Sequence, residues 1–141
     1  MASAPLVSTF VALALIPVAF LFTHAYITGR SHHSFHRITG PIAIVWDLAL
    51  SIFYMLYRTF GGQVEGSTLD IQGAMLAYFI AHGTIAVVVI LLELAVLGTG
   101  IVQVRRKARV ILHSRLVLPL YIVWFAAFLS GEIVYLVNYV L

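Results

Sequence analysis

The sequence contains no cysteine and very little charge. Without a thiol the chain cannot form a disulfide, an iron–sulfur cluster or a thiolate zinc site, so any metal needs histidine or carboxylate ligands. Only 9% of the 141 residues are charged, whereas 62% are hydrophobic. Soluble domains carry about 25% charged residues. The composition therefore predicts an integral membrane protein with several spans, built as a single domain over residues 1–141.

Four apolar stretches are long enough to cross a bilayer, which takes about 20 residues of helix. They cover residues 4–27, 41–57, 71–97 and 110–141. Short connections separate them, and we expect Gly29, Gly61 and Gly98 to mark helix ends, Pro41 to lie in a first helical turn, and Ser67–Asp70 to act as a capping box. Short connections favour antiparallel neighbours. The predicted fold is all-α: an antiparallel four-helix transmembrane bundle.

The distribution of lysine and arginine predicts the orientation in a cell membrane. Seven of the eight basic residues fall on one side of the predicted bundle: Arg30, Arg37, Arg105, Arg106, Lys107, Arg109 and Arg115. Only Arg58 falls on the other side. By the positive-inside rule the basic connections are cytoplasmic and both termini lie outside. Because no charged residue precedes Arg30, the basic start of a secretory signal is missing, and we expect the first span to be retained.

Several ionisable residues lie inside or at the ends of these apolar stretches. The acids are Asp47, Glu93 and Glu132, and the histidines are His24, His36, His82 and His113. An acid inside a span costs about 2.5 kcal/mol or more, and it is usually paired, turned toward the bundle interior or functional. We therefore expect these side chains to meet inside the fold.

The spacing predicts which of them meet. His36 and Asp47 are eleven residues apart, as are His82 and Glu93. Eleven residues make nearly three full helical turns, so each pair shares one helix face, about 16 Å apart along the axis. With the second and third helices antiparallel and their outer ends level, Asp47 faces His82 near mid-membrane. His36 then faces Glu93 near the cytoplasmic surface.

The cytoplasmic group is a candidate cofactor site. His24, His36 and His113 fall at this depth with Glu93, one from each helix, and His82 is a further candidate metal ligand. Three imidazoles and a carboxylate suit copper, zinc or iron. Two of the imidazoles alternatively suit a b-type haem. Interfacial histidines without a cofactor remain the other interpretation.

The mid-membrane group is Asp47, His82 and Glu132. It is interpreted as a second metal site, a proton relay or a set of hydrogen bonds between helices, each worth less than about 2 kcal/mol. Trp46 and Trp124 are interpreted as packing residues and interface anchors.

Three segments carry a resemblance to a known family. They are HRITGPIAIVWDL from His36, YFIAHGTIAVVVI around His82, and LHSRLVLPLYIVWFAAFLSGEIVYLVNY around His113. They resemble the domain-of-unknown-function four-twenty family of four-helix membrane proteins, with its His-Arg entries into helices two and four and its histidine in helix three. The resemblance covers most of the chain from His36 onward. It implies an accessory protein for the assembly or activity of haem–copper oxidases that handles copper or haem.

Three functions stay open at this stage. The first is an accessory or assembly subunit of a haem–copper terminal oxidase, or of a similar copper-dependent oxidase or oxygenase. The second is a purely structural subunit of a larger membrane complex, and the third is a proton-conducting or transport subunit using Asp47, His82 and Glu132. No nucleophile elbow, phosphate loop or dinucleotide fingerprint occurs, so an independent enzyme is not expected. The expected partners are integral membrane subunits and lipid, with no nucleic acid and no soluble substrate.

Overall fold

The structure, a computed structural model, describes residues 5–61 and 72–141. In these ranges the chain forms four α-helices and no strand: α1 (Leu6–Arg30), α2 (His36–Phe60), α3 (Gly73–Arg106) and α4 (Ile111–Tyr139). All four are long and apolar enough to cross a membrane. The predicted number of long apolar helices is therefore confirmed. The predicted capping box at residues 67–70 lies outside the described residues.

The predicted helix ends at Gly29 and Gly61 are confirmed, because α1 ends at Arg30 and α2 ends at Phe60. In contrast, Gly98 is not a helix end and Pro41 does not lie in a first turn. α2 begins at His36 and continues through Pro41, while α3 continues past Gly98 to Arg106. In lipid no water replaces a lost backbone hydrogen bond, so the helix persists at residues that end helices in water. α3 has 34 residues. At about 1.5 Å per residue it is about 51 Å long, well beyond a hydrocarbon core of about 30 Å.

The helices are arranged in a ring. α1 packs on α2 and α4, and α3 packs on α4 and α2, while the described backbones of the diagonal pairs stay apart. Ser8 Oγ near the start of α1 lies 3.1 Å from Tyr54 Oη near the end of α2. The hydroxyl of Tyr135, near the end of α4, donates to Thr9 Oγ1 at 3.0 Å. The interface between α2 and α3 is the smallest of the four.

Trp124 of α4 forms the centre of the apolar core. Its ring stacks on Phe22 of α1, with 4.6 Å between ring centroids, and on Phe128, with 5.2 Å. Val18 of α1 and Val89 of α3 complete the buried cluster around these rings. Aromatic stacking thus ties α4 to α1.

Gly29 allows α1 and α2 to approach each other where α2 begins. A Cβ atom at Gly29 would lie 2.8 Å from Nδ1 of His36, the nitrogen that is also 2.8 Å from the Ala25 carbonyl oxygen. Gly29→Ala is therefore expected to displace the His36 ring and to lower the free energy of unfolding by about 1–3 kcal/mol. Unfolding in mixed micelles of increasing dodecyl sulfate content, followed by far-ultraviolet circular dichroism, measures the effect.

Gly98→Ala is the matched control for this substitution. No described atom lies within 4 Å of a Cβ at Gly98, so alanine there is expected to be neutral or stabilising by up to about 1 kcal/mol. An equal loss of stability in both variants would contradict a close approach at Gly29.

Candidate functional site

Asp47 of α2 and Glu93 of α3 form a buried pair of carboxyl groups where these helices meet. The two residues are 2% and 0% exposed, and their carboxyl groups lie close enough to interact. Ser51 Oγ donates to Asp47 Oδ2 at 3.2 Å, and the Trp124 indole N–H is directed at the same carboxyl group. No hydrogen bond of regular geometry from the described part of the chain reaches either carboxyl oxygen of Glu93.

The chemistry of the Asp47–Glu93 pair follows from the absence of a basic partner among the described residues. No lysine, arginine or histidine of residues 5–61 and 72–141 forms an ion pair with Asp47 or Glu93. Two carboxylates at close range repel each other strongly when both are charged. The arrangement favours a proton shared between the two groups. Such a pair can release a proton or accept a cationic ligand.

In the structure these side chains contact different partners from those that the spacing predicted. Asp47 interacts with Glu93 instead of His82, and Nδ1 of His82 donates to Ser130 Oγ of α4 at 2.7 Å. His36 does not meet Glu93, because its ring lies beside the start of α4. Of the two residues predicted to face α2, only Glu93 does so, because His82 bonds to α4. Asp47 thus meets a residue of α3 that lies eleven positions, about 16 Å along the helix, from the predicted one.

A cavity of about 380 Å³ lies among the four helices. Asp47, His82 and Glu132, which the sequence groups as a possible relay, all line it. No hydrogen bond joins these three side chains to one another within the described structure. Gly131 brings α4 close to His82, since a Cβ there would lie 3.3 Å from His82 Cε1. The three groups therefore share a space without forming a continuous relay.

His36 and His113 come together at the other end of the bundle. Their ring centroids are 6.1 Å apart, with 65° between the ring planes. Nδ1 of His36 lies 2.8 Å from the Ala25 carbonyl oxygen, and Nδ1 of His113 lies 3.1 Å from the Val96 carbonyl oxygen. Because a carbonyl oxygen only accepts, each Nδ1 carries a proton and donates it to that oxygen.

The remaining members of the predicted cofactor site lie elsewhere. Nδ1 of His24 contacts Thr39 Oγ1 at 3.3 Å, and Glu93 is turned toward Asp47. Across residues 5–61 and 72–141 no three histidine, aspartate or glutamate side chains are placed to hold a metal ion together. The pocket beside His36 measures about 40 Å³, whereas pockets for drug-sized ligands measure about 300–1,000 Å³. The residues present do not fit a haem or a metal site with three protein ligands.

The bond between His82 and Ser130 is expected to show energetic coupling. Ser130 Oγ accepts from His82 and donates to the Ala127 carbonyl oxygen at 2.8 Å. A double-mutant cycle with His82→Ala and Ser130→Ala should give a coupling of about 0.6–1.7 kcal/mol, the range for hydrogen bonds between membrane helices. Unfolding in dodecyl sulfate mixed micelles measures it. The control cycle pairs His82→Ala with Thr84→Ala, because Thr84 bonds within α3; similar coupling in both cycles would refute the bond.

Comparison of the chain with known protein families, with curated proteins and with solved structures found no match. The described residues define an all-helical protein with four helices apolar enough to cross a membrane. Asp47 and Glu93 face each other, and four histidines contact neighbouring helices: His24, His36, His82 and His113.

Proposed function

We propose that the chain is a non-catalytic accessory subunit of a larger membrane oxidoreductase complex, of the haem–copper oxidase kind or a similar copper-dependent kind. In this proposal it crosses the cell membrane as an antiparallel four-helix bundle with its termini outside. The contacts of Ser8 with Tyr54 and of Tyr135 with Thr9 support the antiparallel arrangement. The choice of an oxidase follows the resemblance in the segments around His36, His82 and His113.

An exposed row of aromatic side chains on α2 is the observation that carries the proposal. Trp46, Phe53, Tyr57 and Phe60 follow one another at intervals of seven, four and three residues, which places them on one helix face. Trp46 is 42% exposed and Phe53 is 50% exposed. Aromatic residues are enriched where one protein packs on another. We call these four residues the α2 aromatic row.

The depth of Trp46 favours a protein partner over lipid. It is the eleventh of 25 residues in α2, so it lies near the middle of the span. Tryptophan prefers the membrane–water interface, where water can bond its N–H. The Trp46 N–H has no hydrogen-bond partner among the described residues. A helix from another subunit lying along the α2 aromatic row would shield this ring and can offer an acceptor.

The histidines serve as contacts between helices in this proposal. His24, His36, His82 and His113 each use Nδ1 for a hydrogen bond to a neighbouring helix. A metal-handling role has weaker support, because no group of three ligands forms in the described structure. Elemental analysis after copper supplementation distinguishes histidines that only join helices from histidines that handle a metal. We expect less than one copper per chain, and a stoichiometric content would favour metal handling.

Crosslinking in native membranes tests the accessory role. A photoreactive phenylalanine analogue at Phe53 is expected to crosslink to an integral subunit of the oxidase, identified by mass spectrometry. The same analogue at Leu91 of α3, which is 62% exposed, is expected to crosslink to lipid. The tagged chain should also carry the haem absorbance of the complex through purification. A chain that purifies without oxidase subunits and crosslinks only to lipid from both positions would overturn the proposal.

A proton-exchanging subunit is the second candidate function. It is supported by the cavity that Asp47, His82 and Glu132 share. The expected result is proton flux into liposomes that contain the chain, abolished by Asp47→Asn and retained in His113→Gln. Flux no greater than in empty liposomes would remove this candidate.

A further inference from the structure

The cavity among the four helices runs from the middle of the bundle to one of its ends. Asp47 and Trp124 lie at its inner part, and Arg58 and Tyr139 lie where α2 and α4 finish. Apolar side chains such as Leu15 form most of the wall between these levels. A ligand that fits this space has an apolar body and a polar group at one end.

The inner part of the cavity has no lysine or arginine among its described lining residues. Asp47 is 2% exposed, and Glu93 beside it is fully buried with no regular hydrogen bond from the described residues. Glu132 of the cavity wall has no hydrogen-bond partner in the described part of the chain either. Arg58 is the only lysine or arginine among the described lining residues, and it lies at the far end. Ser51 and Trp124 offer Asp47 only neutral donors, so the negative charge of the carboxyl pair has no cationic partner among the described residues. A buried charge without such a partner is costly.

We propose that this cavity binds an amphipathic amine, with the ammonium group at Asp47, the member of the carboxyl pair that lines the cavity, and the hydrocarbon part along the apolar wall. The ammonium offers three N–H donors and one positive charge. A carboxyl pair that shares one proton carries one negative charge, so the bound head group neutralises it. A neutral alcohol supplies only one donor and no charge, and a fatty acid adds another acceptor and a further negative charge.

The binding measurement uses the fluorescence of Trp124, which lies beside the proposed head-group position. Trp46→Phe removes the other tryptophan and leaves Trp124 as the only reporter. Purified chain in nanodiscs of neutral lipid is titrated with octylamine, with octanol and with octanoate. Octylamine is expected to change the emission saturably. Octanol should need a concentration about tenfold higher or more for half-saturation, and octanoate should give no saturable change.

Substitutions in the carboxyl pair locate the site. Asp47→Asn and Glu93→Gln are each expected to raise the half-saturating octylamine concentration by about tenfold or more. His113→Gln is the control, because His113 lies at the opposite end of the bundle. Its titration should match that of the unsubstituted chain. Circular dichroism verifies that each variant is folded, and if one carboxyl variant unfolds, the other one decides.

Two results would overturn the proposal. One is equal half-saturation for octylamine and octanol in the unsubstituted chain, which would show simple partitioning into an apolar space. The other is octylamine binding that survives both carboxyl substitutions. Since the isolated chain is used, these outcomes are independent of whether it belongs to an oxidase complex.

Discussion

Replacing Trp124 with alanine is expected to lower the free energy of unfolding of the isolated chain by about 3–5 kcal/mol. The side chain is 2% exposed and stacks between Phe22 and Phe128. Its indole N–H is also directed at the Asp47 carboxyl group. Alanine removes the stacking contacts of α4 with α1, leaves a cavity and deprives a buried acid of a donor. In a membrane protein the loss arises from packing and hydrogen bonding, because lipid is as apolar as the core.

Trp46→Ala is the matched control, since it makes the same chemical change on an exposed face of α2. In the isolated chain it is expected to change stability by less than about 1 kcal/mol. Far-ultraviolet circular dichroism follows both variants during titration with dodecyl sulfate, so neither signal depends on the missing tryptophan. If both variants lose the same stability, Trp124 does not hold the centre of the core. In native membranes Trp46→Ala should instead weaken association with the proposed partner.

The two tryptophans also show which features of the structure can be predicted from the sequence. Composition and apolar run length predict four spans, and the structure has four helices with those properties. Both tryptophans fit the same sequence interpretation as packing or anchoring residues. What separates Trp124 from Trp46 is the contact of α4 with α1, which joins residues about a hundred positions apart. No local pattern in the sequence encodes that contact.

The Asp47–Glu93 pair shows that the sequence also leaves the relative depth of neighbouring helices undetermined. Helical periodicity places His82 and Glu93 on one face of α3, but the two side chains meet different helices, since Glu93 faces Asp47 of α2 and His82 bonds to Ser130 of α4. Which of the two meets Asp47 depends on how α2 and α3 are shifted along their axes. The sequence-based prediction assumed that their outer ends are level, whereas packing brings α2 to Glu93. Faces follow from the 3.6-residue period, but depth depends on the packing of the whole bundle.

Glu93→Met is expected to raise the free energy of unfolding by about 1–3 kcal/mol, because it removes a buried acid group that receives no hydrogen bond of regular geometry from the described residues. Methionine has a similar length and no branch, so it fits the same space without new strain. It also removes the repulsion with Asp47, whose carboxyl group keeps Ser51 and Trp124 as partners. Most buried substitutions lower stability, so a gain at a fully buried position is a sharp result. Dodecyl sulfate titration measures it.

Asp47→Leu is the counterpart, and the opposite sign is expected. It removes the acceptor that Ser51 and Trp124 share, so stability should fall by about 1–3 kcal/mol. A loss in both variants would show that Glu93 is satisfied in the folded chain. If Glu93→Met raises stability and also abolishes octylamine binding, Glu93 serves ligand binding at the expense of stability. Functional sites commonly reduce stability in this way.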